Sequence, residues 1–419
     1  MPGTATASCQ PMAVFPNTIA NGDINENSNT TVRIRALTAR VSTTTLRDDV
    51  TALAAFRTRY YKSPQGREAA VWLQRRLLAG FADPRLYRDR GGGVGGRRGS
   101  DKVTVKLFEH GWQQPSVIAR VQGRTNVTVI LAAHIDSVNF YLPSLLHAPG
   151  ANDDAAAIAA LISAFTLLTQ PFPPPSLENT LEFHFYAAEE AGFRGSAAVL
   201  GAYNAARRTV HSLLQFDAIG IPDATPAIAV AAEYLPQATT DGYEAYIGHL
   251  ASKYLDVPAV ATACGYACSD HASAVRFGYA GALVTGRRLD GEGADADASH
   301  TAGDKIAMLD FEHIARFAKL AVAYGYDLGH ANLLRASGAG DGGVRGYMCD
   351  EGYPDGWMGG VRRFAAARAT DPLGFALWIA VLVVMIAVAR PWEEFTPVVR
   401  VLIGRTRRRV MGLIRRVNR

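Results

Sequence analysis

The chain has 419 residues and a mass of 44.9 kDa, enough for one large domain with appendages or two ordinary ones, and for a core that needs no disulfide staples. Apolar residues make up 48%, with 40 Gly, 20 Pro and only 4 Cys, which excludes a disordered, collagen-like or disulfide-scaffold protein. The net charge of +5 is lopsided: residues 390–419 carry nine Arg against two Glu, or +7, leaving −2 on residues 1–389 and arguing against a basic nucleic-acid-binding body.

Residues 1–44 are polar, with Pro2, Pro11 and Pro16 and no apolar run that could serve as a signal-peptide core; they read as an extension or part of a propeptide. Helices are expected over 45–60 and, after the turn signal Ser63-Pro64, over 66–78. Residues 88–100, rich in Gly and Arg, suit a surface loop. Strands are expected at 103–108, 116–121 and 127–133, the last apolar enough to be buried on both faces. An uncharged, Ala-rich stretch at 155–168 suits a buried helix. A strand at 181–187 and a helix near 195–206 follow, then strands at 212–216, 227–231 and 282–284. Residues 311–326 close the pattern as an amphipathic helix. Strands alternating with helices predict an α/β domain over 45–330: a three-layer αβα sandwich on a mainly parallel mixed sheet, with its site at the C-terminal ends of the strands.

Beyond it, 331–372 reads as a linker. The seventeen residues from Leu373 to Ala389 contain no charge, a length at the lower edge for crossing a bilayer and also suited to a buried core helix. Trp378 and Trp392, and the Arg-rich tail at 390–419, favour a single transmembrane anchor with the tail cytosolic and the large domain lumenal or extracellular. The tail itself suits either an amphipathic helix on an anionic membrane face or a solvated basic segment.

Chemistry-bearing residues gather where strands end. His134 and Asp136 close one strand, Asp153 and Asp154 precede the Ala-rich helix, Glu189 and Glu190 close the next strand, Asp217 closes another, and His300 sits in a later loop. Taken singly, each could be a helix cap, an ion pair or a satisfied core histidine. Together, on strands this apolar, they call for a cation, because an unpaired buried carboxylate costs several kcal/mol, on the order of a whole protein's net stability. Two imidazoles with three or four carboxylates suit zinc better than magnesium or calcium.

The motifs HIDS at 134–137, PGANDD at 149–154, AEEAGFRGS at 188–196, QFD at 215–217, CGYACSDH at 264–271 and SHT at 299–301 resemble the di-zinc aminopeptidases of the M28 type, nearest the bacterial and fungal leucine aminopeptidase branch. The resemblance runs over about 45–330 in order and spacing. It implies two zinc ions per chain bridged by Asp153, one completed by His134 and Asp217, the other by Glu190 and His300. It further implies Glu189 as general base toward a metal-bridging water, Asp136 behind the imidazole of His134, and Tyr266 as hydrogen-bond donor to the oxyanion. Cys264 and Cys268 match a disulfide in the related enzymes; read from spacing alone, a Cys-x₃-Cys pair could also bind metal. Two departures stand out. Ala155-Ala156-Ala157 replaces a small residue followed by Ser-Gly, and Lys305 after Asp304 places a cation near His300 where it could tune substrate access.

The expected function is removal of N-terminal, apolar residues from peptides with a free N-terminus. Two other readings remain: a catalytically silent, membrane-anchored ectodomain of the same fold used for binding, and a mono-zinc cyclotransferase or carboxypeptidase. The complete ligand set weighs against both.

Overall fold

A computed structural model of the protein describes residues 10–11, 28–81, 102–170, 176–290, 298–333 and 347–348. Three helices come first: α1 (Asn29–Thr38), α2 (Thr43–Ala54) and α3 (Pro64–Phe81). There follow β1 (Val103–Phe108), β2 (Ser116–Val121), β3 (Thr128–His134), α4 (Ala156–Thr169), β4 (Thr180–Tyr186), α5 (Arg194–Ala205) and β5 (Val210–Phe216). The remainder is β6 (Ile228–Ala231), α6 (Gln237–Tyr254), β7 (Ala259–Ala261), α7 (His271–Arg276), β8 (Gly281–Thr285) and α8 (Phe311–His330). Gln10–Pro11 also pairs with Tyr347–Met348.

The strands form one eight-stranded mixed sheet in the order β1-β2-β4-β3-β5-β8-β6-β7. β3, β4, β5 and β8 run parallel, β2 is antiparallel to β4, and β8 is antiparallel to β6. Because β4 and β5 lie on opposite sides of β3, the connections leaving β3 and β4 diverge there and open a crevice at the C-terminal end of β3, where ligands bind in sheets of this kind. All seven residues of β3 are buried, as its unbroken apolar run predicts.

Side-chain alternation divides the interior in two. Leu131, Leu181, Phe183 and Leu214 face the larger core, beneath α4 and α8, while Ile130, Ala132, Tyr186 and Leu213 face a smaller one under α5 and α7. Among the described residues, the stretch long and apolar enough to cross a membrane is Ala151–Thr169, and 94% of it is buried inside the domain. It is the core helix against which α8 packs. Gly325 permits that approach, since a Cβ there would stand 2.8 Å from Leu168 Cδ1.

Composition was a poor guide at the N-terminus. Residues 28–44, expected to belong to a polar extension, contain α1, capped by Ser28, and the start of α2; Ile34 is fully buried against the core. The helix expected over 45–60 stops at Ala54, because residues 55–63 turn inward and bury Arg59. α6, β7 and α7 carried no clear sequence period and were not anticipated. Residues 88–100, most of the expected linker, the apolar run from Leu373 to Ala389 and the basic tail lie outside the described residues.

A buried ionic network stiffens the α5 side of β4. Glu182, His184 and Tyr186 alternate along one face. Glu182 accepts from Arg120, from Arg208 (2.9 Å), from Tyr203 Oη (2.8 Å) and from His184 Nε2 (2.8 Å), while Tyr186 Oη lies 2.8 Å from His184 Nδ1. Burial opposes ionisation of Glu182, but His184, Arg208 and Arg120 outweigh it and hold the carboxyl well below the usual range. Glu182→Gln should therefore cost on the order of 3 kcal/mol in urea unfolding at pH 7. Since the folded carboxyl titrates below its unfolded value of 4.5, this penalty is fully present above that pH and shrinks as the pH falls further. A penalty independent of pH between 7 and 3 would show that the charge is not what matters.

Candidate dinuclear metal centre

Each acidic or imidazole group reaches the crevice because a strand ends beneath it. The ladder of β3 continues one residue past His134, with Ile135 N donating to Tyr186 O at 2.7 Å. Gly150, in the left-handed region at φ 54°, turns the chain into a short π-helical turn, Ala151–Ala155, whose Asp153 and Asp154 have non-helical dihedrals. Asp153 is thus a turn residue aimed at the crevice, and it does not cap α4. Three further residues without glycine's freedom take positive φ around the crevice: Ala188 (57°), Ala218 (50°) and His300 (59°). Such conformations cost about 1 kcal/mol or more each and concentrate where side chains must be aimed.

Asp153 sits between the two histidines. Its Oδ1 is 3.0 Å from His134 Nε2, and its Oδ2 is 3.1 Å from His300 Nε2. Asp217 Oδ1 lies 3.7 Å from His134 Nε2, and Glu190 Oε2 lies 3.0 Å from His300 Nε2. Two groups of candidate ligand atoms result, each lying within 4.8 Å of one another: His134, Asp153 and Asp217, and Asp153, Glu190 and His300. They share one carboxylate. Glu189 is buried beside them, 8% exposed.

The neighbours of these groups fix where they point. Asp136 contributes differently from expectation: its carbonyl oxygen, at 3.1 Å, is what faces His134 Nδ1, while its carboxylate oxygen is 3.7 Å away. The carboxylate instead accepts the main-chain N–H groups of Glu189 (2.9 Å) and Glu190 (3.2 Å), and so orders the Glu-Glu pair. Asp154 accepts from His134 N, Ser269 Oγ donates to Asp217 Oδ2 at 2.6 Å, and Asp304 accepts from Asn152 N and Asp153 N at 2.8 and 3.0 Å. Lys305, expected to act near His300, is exposed; the buried Asp304 is the residue of that pair that reaches the site.

The electrostatics describe a demand for positive charge. Burial acts against protonation of His134, yet Asp217, Asp136 and Asp153 hold its imidazole well above the ordinary range. Burial likewise opposes protonation of His300, but Glu190 and Asp153 hold it up at about 12. Burial drives Glu189 well above the usual carboxyl range, with His134 opposing and Asp270, Glu190 and Asp217 adding, and brings Glu190 to about 7. Among the described residues, Glu190 Oε1 is buried without a hydrogen-bond partner. A mixed set of two imidazoles and three carboxylates around an under-satisfied oxygen fits divalent metal, zinc first by its N/O character.

The CGYACSDH segment carries Tyr266, 43% exposed, inside a loop closed by the Cys264–Cys268 disulfide. That pair also groups with Glu233, but Glu233 is occupied by accepting from Cys264 N and Gly265 N, and both sulfurs are spent on the bond. Metal binding by Cys-x₃-Cys is therefore set aside.

Residues 116–325 match the family description "Peptidase family M28". Leucine aminopeptidase 1 of Neurospora crassa is 38% identical over 310 residues, covering 72% of each chain. The chain belongs to peptidase family M28. Leucine aminopeptidase 1 of Penicillium rubens is likewise 38% identical, over 71% of this chain and 74% of its own. The solved structure of the Legionella pneumophila LapA aminopeptidase has the same fold, with a TM-score of 0.61 at 23% identity over 72% of this chain and 75% of that one. The M28 match includes all five candidate ligands and Glu189, whereas α1, α2, α3 and β1 lie before it.

Proposed function

We propose that this M28 metalloaminopeptidase holds two zinc ions and hydrolyses N-terminal, apolar residues from peptides. The observation that carries the reading is the pair of ligand groups joined through Asp153, with Glu189 buried beside them and not among them. His134 and Asp217 would hold one ion, Glu190 and His300 the other, and Asp153 both. When bound, such a pair supplies Lewis-acid stabilisation of developing oxyanion charge and acidifies water. Glu189 takes the proton and passes it to the leaving amine, its backbone fixed by Asp136. Asp136, through its carbonyl, keeps the proton on His134 Nδ1 so that Nε2 faces the ligand cluster. Tyr266 donates toward the oxyanion from the disulfide-closed loop. Tyr266→Phe should lower kcat by about 10²-fold with metal content unchanged; a change confined to KM would assign it to binding instead.

The decisive assay is zinc stoichiometry together with leucyl-p-nitroanilide hydrolysis by the full chain. Two zincs with turnover support the reading. No metal and no turnover would identify a silent binding ectodomain, and one zinc with a different product a cyclotransferase or carboxypeptidase. We further propose that the run from Leu373 to Ala389 anchors the protein once in a membrane, the basic tail cytosolic and the catalytic domain outside. Its uncharged composition and Arg-rich flank support this. Release of the full chain into the supernatant by carbonate extraction would sink it.

A further inference from the structure

Arg59 is the largest fully buried side chain of the described domain, and it lies outside the M28 match, in the connection between α2 and α3. Among the described residues, no carboxylate pairs with its guanidinium directly. Four of its five N–H donors end on main-chain carbonyls: Nε on Ile135 O (2.8 Å), Nη1 on Leu53 O (3.3 Å) and on Pro149 O, and Nη2 on Gly150 O (3.0 Å). Ile135 lies between His134 and Asp136; Pro149 and Gly150 lead into the turn that aims Asp153. One planar fork thus ties together the two loops that carry three of the site's groups.

The neighbourhood is built to keep that fork in place. Arg59 N donates to Ser137 Oγ at 3.0 Å, Ser137 Oγ donates to Ala148 O at 2.8 Å, and Gln114 Nε2 donates to Arg59 O at 2.9 Å. A Cβ at Gly150 would stand 2.6 Å from Nη2 and 2.4 Å from Asp153 O, so the approach requires glycine. Asp304, Asp153, Asp154 and Asp136 all act on the guanidinium electrostatically. A buried cation is costly unless nearby negative charge sustains it, and of these four carboxylates only Asp153 belongs to the ligand groups.

We infer that Arg59 is a positioning residue of the metal centre, fixing the spacing between the His134 and Asp153 loops from outside the family segment. The inference rests on the two-metal reading. A lysine at 59 would keep the charge but lose the planar fork that reaches several carbonyls at once.

The test uses full-length protein, parent against Arg59→Lys and Arg59→Met, with zinc affinity from chelator competition, the visible spectrum of the cobalt-substituted protein and the apo melting temperature. Arg59→Lys should stay folded, bind zinc 10- to 100-fold more weakly and show shifted cobalt bands, as loss of an outer support of metal ligands does. Arg59→Met should change the same readouts further; should it fail to fold, Arg59→Lys decides alone. Zinc affinity within threefold of the parent and an unchanged cobalt spectrum, even with a lower melting temperature, would overturn the inference and leave Arg59 a folding residue. A parent that binds no zinc would overturn the two-metal reading and this inference together.

Discussion

Glu189→Gln should yield a folded protein that retains two zinc ions per chain and has lost almost all turnover. The two adjacent glutamates differ in what they face: Glu190 Oε2 meets His300 Nε2 at 3.0 Å, whereas Glu189 belongs to neither ligand group. An amide of nearly the same size keeps the packing and the Asp136 contact to the Glu189 N–H, so little else changes. General acid–base catalysis contributes about 10²- to 10⁴-fold, and kcat should drop by that much. That corresponds to roughly 3–5 kcal/mol of barrier. Normal leucyl-p-nitroanilide hydrolysis by the variant would remove Glu189 from the mechanism. Loss of metal along with activity would make it a ligand instead.

Asp153→Asn should have the broadest effect of any single ligand substitution. Its two oxygens face different histidines, at 3.0 and 3.1 Å, so replacing one by an amide nitrogen damages both ligand groups. Affinity should fall more than ~10²-fold at both positions, beyond what losing an outer-shell support does. By contrast, Asp217→Asn and Glu190→Gln should each weaken one position. Metal analysis after dialysis against a chelator separates these outcomes. A variant Asp153→Asn that keeps one ion at parental affinity would show that the carboxylate is not shared.

Much of the site was legible in the sequence because its residues announce themselves. A charged side chain at the end of an apolar strand has few structural excuses, and His134, Glu189, Glu190 and Asp217 were found on that ground. Asp153, adjacent to Asp154 in a turn, needed the whole constellation. The supporting contacts were another matter. Asp304 is 151 residues from Asp153, and Ser269 is 52 residues from Asp217; no local pattern marks a hydrogen bond across such a separation. Asp136 is expected behind the imidazole of His134, yet its carbonyl faces that ring and its carboxylate serves the Glu-Glu backbone, a detail of direction that residue type cannot encode. The mainly parallel mixed sheet is legible in the alternation of periods, whereas α1 is not, because its buried face amounts to Thr31, Ile34 and Thr38.

The helices ahead of the M28 segment bear on where the protein can be cut. Ile34, Leu46, Val50, Leu53, Leu73 and Leu77 are fully buried in the same core as α4 and α8, and β1 covers the outer edge of β2. A fragment begun at residue 116 would uncover that apolar surface and leave a bare strand edge open to self-association. The M28 segment at 116–325 is therefore shorter than the stretch that folds. Expression boundaries, fusions and transplanted domains should start near residue 28.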